Sequence, residues 1–326
     1  MKRVVVLCVG ILALAIIPAA VSAQGLLPNF PLLGGVFGNS AACGETPSLG
    51  LGPLVGYVGW MPYVTNGVAL GVGGGPLGPI YEMDQLYSLS GVWFGLEQTC
   101  HCSDWLGFMA TGWYLVPSNS TSTEVYDNGV LGARPWNPTN EWWFVDGAFL
   151  INGPGCVSLI LGLRYDYFNT EFSNTGTFFT SPAGVAAPFT LGLPTDQATA
   201  ESQGWIPLIG TQVAYTSPTT NLTVRAVGFP TLLGNVKYRE TIGALGSAEF
   251  TGTYNNGYFL EVFTDYTRKF GAGGVGVFAR WNMTHGNCNS DLNLPVVAGN
   301  NSFALGVNRT SWTFGGSFSL SFNSPF

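Results

Sequence analysis

The residues able to do chemistry are few, and they are scattered along the 326-residue chain. The segment "CHCSD" brings Cys100, His101, Cys102 and Asp104 together, which are the ligand types of a zinc site. Such sites are tetrahedral and space paired ligands by about two to four residues. Adjacent and next-adjacent ligands close that geometry poorly, so a disulfide or free thiols are expected here and no metal. No CxxCH run is present to attach haem, and no cofactor is expected. The second histidine, His285, lies in "NMTHGNCNSD" with Asp291 six residues on. A histidine base oriented by a carboxylate is the minimum for hydrolysis. The chain has no GxSxG and no HExxH, so His285 reads as an ordinary loop residue and no catalytic residue is assigned. "GAGGVG", residues 271 to 276, matches GxGxxG by letters. A dinucleotide site needs that run between a strand and a helix, whereas here it opens a strand-like segment, "GGVGVFARW".

The six cysteines belong to an exported chain. It opens "MKRVVVLCVGILALAIIPAAVSAQG", a positive start followed by an unbroken apolar run and a small-residue site. This reads as a secretory signal, residues 1–23, cleaved after Ala23. Cys8 leaves with it. In an oxidising compartment the remaining cysteines are expected to pair. Cys43, Cys100, Cys102 and Cys156 fall on one side of the topology derived below, giving one or two disulfides of undetermined connectivity, with Cys288 left over.

Composition narrows what must position these residues. Only 9% of residues are charged and 14% are aromatic, with 46 glycines. Mean hydropathy is +0.27. A soluble domain carries roughly 25% charged residues. Yet no segment after the signal offers the ~20 apolar residues of a membrane helix. Without the signal, nine basic residues face 18 acidic ones. That balance argues against nucleic acid as a partner.

A period of two recurs at 54–64, 86–97, 105–116, 141–151, 157–168, 206–215, 221–227, 257–266, 274–283 and 312–322. Connections at 98–104, 152–156, 216–220 and 267–273 are short. Those at 117–140, 169–205, 228–256 and 284–311 are long, and the two kinds alternate. Membrane barrels have short periplasmic turns and long outer loops, with an even strand number. The expected fold is therefore all-β: a transmembrane antiparallel up-and-down barrel of about ten strands, with eight to twelve allowed. Residues 24–53 would form a periplasmic arm and 54–326 the barrel.

The charged residues within these strands are Asp146, Arg164, Asp166, Arg225, Glu261, Asp265 and Arg280. Each has the parity opposite to the bulkier apolar set. A basic residue facing lipid near the midplane costs about 2–4 kcal/mol, so all seven are expected in the lumen. Aromatics gather near strand ends, among them Trp143, Tyr165, Tyr167, Tyr215, Tyr258, Tyr266, Trp281 and Trp312. Amphipathic rings at the headgroup level would have this placement.

The last stretch, "SWTFGGSFSLSFNSPF", sets Trp312, Phe314, Phe318, Leu320 and Phe322 on one parity with the terminal Phe326. It resembles the C-terminal signal of bacterial outer-membrane β-barrel proteins, departing from it in the Ser324-Pro325 interruption. The resemblance implies an outer membrane of a diderm bacterium, recognition by the outer-membrane assembly machinery, and lipid as the main partner.

Two functions fit this reading. The first is a monomeric, non-enzymatic barrel, structural or passing small solutes, with selectivity set by the lumen charges. The second is a surface recognition protein acting through long outer loops, above all residues 169–205, where an extracellular ligand would bind. A rim hydrolase using His285 is the third and weakest.

Overall fold

A strand whose two faces meet different media must alternate, and this chain becomes a wall with a lipid side and an inner side. In the computed structural model the described residues are 50–72, 82–117, 121–126, 131–133, 136–153, 156–174, 178–180, 197–242, 246–293 and 303–321. The proposed signal and nearly all of the proposed arm lie outside them, as do Cys43, Phe322 and Phe326.

The strands are β1 (Gly50–Val72), β2 (Glu82–His101), β3 (Leu106–Pro117), β4 (Thr121–Tyr126), β5 (Leu131–Ala133), β6 (Trp136–Asn152) and β7 (Val157–Asn174), followed by β8 (Phe178–Thr180), β9 (Gln197–Thr216), β10 (Thr220–Phe229), β11 (Leu233–Ile242), β12 (Gly246–Phe270), β13 (Gly273–Asn293) and β14 (Phe303–Leu320). All neighbours are antiparallel. The ring closes through β1, which sets Leu54 opposite both Leu320 of β14 and Gln98 of β2. β3 and β4 both lie between β2 and β6, and β10 and β11 both lie between β9 and β12. Each such pair is one stave in two pieces, so the barrel has ten staves. Outside the ring, Leu131–Ala133 of β5 pairs with Phe178–Thr180 of β8.

All ten expected strands are present, and the four short connections are tight turns at one end. Cys102 N–H donates to the Leu106 carbonyl (2.9 Å), Gly153 N–H to Val157 (2.8 Å) and Ser217 N–H to Thr220 (2.8 Å). Gly271 takes φ +60°, a left-handed conformation that favours glycine, to reverse the chain into β13. The "GAGGVG" run is thus a turn and the start of a strand. A Cβ on Gly276 would collide with the Tyr266 carbonyl oxygen, so close packing of the wall accounts for that glycine.

The strands are longer than expected, which corrects the loop reading. Residues assigned to the long loops are in large part wall: Asn169–Asn174, Gln197–Gly204, Leu233–Ile242, Gly246–Asn256 and Thr284–Asn293. β1 likewise begins at Gly50, inside the proposed arm. The physical reason is a change of solvent. On β7 the outward residues run Val157, Leu159, Leu161 and Leu163, then Tyr165 and Tyr167, then Asn169 and Glu171. Above the aromatic pair the outer face meets water, so apolar-polar alternation no longer marks the strand. The 25 residues of β12, at ~3.3 Å each and tilted by about 40–45°, span roughly 60 Å along the barrel axis. The apolar band of such barrels is about 25 Å tall, so much of the wall stands clear of it.

The boundary is marked by rings packed on the outer surface. Trp143 lies 5.5 Å from Tyr165 and 5.4 Å from Tyr167, Tyr165 lies 5.1 Å from Trp205, and Trp281 lies 6.1 Å from Trp312. Tyr215, Tyr266 and Phe270 are exposed near the turns at the other end. Between the two levels Trp312, Phe314, Phe318 and Leu320 of β14 are each about half exposed and face outward.

Candidate functional site: a filled lumen and a break in its wall

The inner face carries the charge. All seven of the expected lumen residues are buried, with Arg164 at 1% exposure and Asp146 at 4%. Arg164 lies on β7, Asp146 on β6, Glu261 on β12 and Arg280 on β13, so the ring closure brings them together. Arg164 Nε donates to Asp146 Oδ1 (2.6 Å) and Nη2 to Asp146 Oδ2 (2.7 Å). Its Nη1 reaches Glu261 Oε2 (2.8 Å) and Nη2 also reaches Glu261 Oε1 (3.1 Å). Arg280 Nε donates to the same Glu261 Oε2 (2.8 Å). Thr111 Oγ1 donates to Asp146 Oδ2 (3.0 Å). The four charges cancel in this knot, and each carboxylate is held by several donors. A planar guanidinium suits this bidentate grip.

Aromatic faces complete the filling. The Phe144 ring has both Arg164 and Arg280 at 4.1 Å from its centroid, and Phe259 has Arg164 at 4.6 Å. Trp93, Trp113, Trp142, Phe168, Phe263 and Phe278 pack around them in one buried cluster with Tyr57 and Met61. Trp93 Nε1 donates to Met61 Sδ (3.1 Å), so even the indole nitrogen is occupied. A second apolar cluster, including Met109, Leu150, Ile160 and Leu208, fills the lumen beside β3, β6, β7 and β9. At this level the inner-face side chains of both clusters are buried against one another.

Two further charges line the lumen that the periodicity missed. Glu97, the last residue of an expected strand, binds Arg225 Nη2 (3.0 Å), and Gln212 accepts from Arg225 Nε (3.2 Å). Arg309, placed by sequence in an outer loop, lies on β14 and donates through Nη2 to Asp166 Oδ1 (2.5 Å). Both have the inner parity of their strands, Glu97 with Trp93 and Arg309 with Thr313, so extending the alternation past the lipid band finds them. Asp265 accepts from Thr267 Oγ1 (2.9 Å).

The other sequence candidates separate. His285 packs its ring over outward-facing Tyr258 (5.3 Å) and lies away from the lumen. Asp291 follows six residues later on the same continuous strand, roughly 20 Å along it, so the two form no dyad. Cys100 and Cys102 are free thiols, one of the two outcomes the sequence left open for them, and Cys288 is free as well. Cys102 lies in the turn just past the end of β2, and its thiol is in hydrogen-bonding contact with that of Cys100. Cys156 is not among the free thiols. Among the described residues no cluster of three or more metal-ligating side chains occurs.

The wall is interrupted in both split staves, and the break between β10 and β11 lies near the aromatic level. β10 pairs with β9 up to Gly228 opposite Ile209, and β11 resumes with Leu233 opposite Trp205. Toward β12 the ladder stops at Phe229 opposite Phe259 and resumes at Asn235 opposite Thr253. Pro230 in the gap and Pro207 opposite it lack ladder donors, which is how the sequence writes the break. Leu232 turns inward there and is buried.

No protein-family model and no curated protein matches the chain. Its fold is similar to solved outer-membrane barrels. The outer-membrane protease OmpT from Escherichia coli aligns with TM-score 0.57 and 11% identity, over 85% of this chain and 100% of that one. The translocator domain of the autotransporter NalP from Neisseria meningitidis gives 0.38 and 14%, over 85% and 90%. The toluene transporter TodX of P. putida gives 0.34 and 10%, over 88% and 95%. At these identities the likeness is one of fold: a closed antiparallel barrel of the outer-membrane type.

Proposed function

We propose that this protein is a non-enzymatic outer-membrane barrel whose plugged lumen carries no current and whose tall wall and outer segments serve surface recognition. The observation that carries the reading is the filled lumen. A solute path would have to part Arg164 and Arg280 from Glu261, which are buried and neutralised within aromatic packing. Breaking such a pair leaves an uncompensated buried charge, at about 3–5 kcal/mol. The small-solute pore therefore gives way to the display reading. The outward turn of His285 supports leaving catalysis out.

The rest of the reading follows the sequence. The chain is exported to a diderm outer membrane by residues 1–23, recognised for assembly through its alternating C-terminal aromatics, and embedded as a monomer. One disulfide on the periplasmic side belongs to the same reading. Non-reducing peptide mapping reads that link directly.

Planar-bilayer conductance of the refolded mature chain, residues 24 to 326, tests the plug. Stable insertion without discrete current steps is expected. Reproducible steps with an ion preference would overturn the plug and restore a pore governed by the lumen charges.

A further inference from the structure

The break between β10 and β11 is more than a gap in the ladder, because a crevice runs through the wall there. Its mouth lies between Trp205 and Leu233, both about half exposed on the outer face at the aromatic level. Its floor is Arg309, Asp166 and Thr284, all buried on the inner face. The free space, open solvent at the mouth included, is about 250 Å³, of which only about 10 Å³ is deep enough to take a water-sized group. That is room for one water or one hydroxyl group.

The floor carries an unmet demand. Arg309 is 1% exposed, and one of its nitrogens is held by Asp166. Nε and Nη1 have no hydrogen-bond partner. The guanidinium is fixed in place, 4.2 Å over Trp142 and 5.2 Å over Phe168, so it cannot swing away to find one. Buried donors left unmade cost about 1–3 kcal/mol each, which a ligand oxygen would recover. The charges of Arg309 and Asp166 cancel, and no other charged residue lines the crevice. A neutral ligand therefore suits it better than an anion, which would meet the Asp166 carboxylate. The walls add hydroxyls that both donate and accept, with Ser202 and Tyr254 already bonded to each other (2.8 Å). Trp205 supplies an apolar ring at the mouth.

We propose that this crevice binds a neutral, hydroxyl-rich ligand, a hexose unit, with one hydroxyl on Arg309 and the sugar ring against Trp205. The proposal rests on the surface-recognition reading and names its ligand class. The sugar comes either free from the medium or as the headgroup of a glycolipid in the outer leaflet. The height of the mouth at the aromatic level serves both sources.

The test is calorimetric titration of the refolded mature chain in amine-oxide micelles. The probes are methyl β-glucoside, octyl β-glucoside, a sugar-free octyl tetraethylene glycol ether, and inorganic phosphate. Binding of methyl β-glucoside supports a free-sugar source, and binding of octyl β-glucoside alone supports a lipid headgroup. Arg309→Met should weaken binding about tenfold or more, since a site built to hydrogen-bond a hydroxyl fails without its donor. If that variant does not fold, Thr284→Val and Trp205→Leu carry the test, each expected to weaken binding several-fold. Equal binding of the sugar-free ether, tighter binding of phosphate, or indifference to Thr284→Val and Trp205→Leu would overturn the proposal. So would no glucoside binding at all. Conductance on the same preparation keeps the two readings apart: current steps sink the plug, while a silent bilayer without sugar binding sinks only the crevice.

Discussion

Two arginines in this lumen are made of the same parts and end in different states. Arg164 and Arg309 are both buried, both paired with an aspartate, and both packed on aromatic rings. Arg164 spreads four hydrogen bonds over two carboxylates. Arg309 makes one to Asp166 and leaves two nitrogens idle. The difference follows from the neighbouring wall. The β6–β7 and β7–β9 ladders run unbroken through Arg164, and carboxylates and rings from β6 and β12 converge on it. Arg309 lines the crevice at the break between β10 and β11, which has room for a water or a ligand hydroxyl. Saturation marks a group that holds the structure, and a deficit beside an opening marks a group available for binding.

Breaking the saturated side should have the largest effect. Glu261→Gln keeps the shape of the side chain but removes the charge that neutralises Arg280 and half of the grip on Arg164. With no solvent to take over, the loss should be about 3–5 kcal/mol of stability. Urea unfolding in lipid vesicles, read by the shift in midpoint at constant slope, checks this. A loss under 1 kcal/mol would show that the knot tolerates an orphaned charge and that its charge pairing is not what keeps the lumen shut.

How much of this contrast could be read from the sequence depends on where lipid ends. Within the apolar band the alternation is forced by the medium, so Val157 to Tyr167 and Trp312 to Leu320 declare both strand and face. The same force put Arg164, Asp166 and Glu261 inside. Higher up, Asn169, Glu171 and Asn308 face water, the outer parity turns polar, and the strand resembles a loop. That is why Arg309 went unassigned although it keeps the parity of Thr313. The break was signalled by Pro207 and Pro230, but only the register shows that they stand opposite each other. The three-dimensional meeting of Arg164, Glu261 and Arg280 needs the closure through β1 and β14, which no local pattern contains. The state of Cys100 and Cys102 was equally out of reach, because spacing alone does not say which thiols meet.

The unsaturated side should respond more weakly. Asp166→Asn removes the carboxylate from Arg309, but the crevice has room for one water beside the guanidinium, so the expected loss is that of a charged hydrogen bond, about 1.5–3 kcal/mol. The same variant sharpens the comparison through its response to chloride. An anion small enough to enter would bind the unpaired charge of Arg309 in the folded state alone, and at several times its dissociation constant would return about 1 kcal/mol. Molar chloride should therefore raise the unfolding midpoint of Asp166→Asn relative to the same concentration of a bulky anion. In Glu261→Gln no such difference should appear, because general screening does not reach buried charges and no opening admits the ion. If both variants respond alike, the lumen is permeable at both levels and the two arginines differ in bonding but not in access. If neither responds, the crevice is closed to ions, and the idle nitrogens of Arg309 belong to the packed interior.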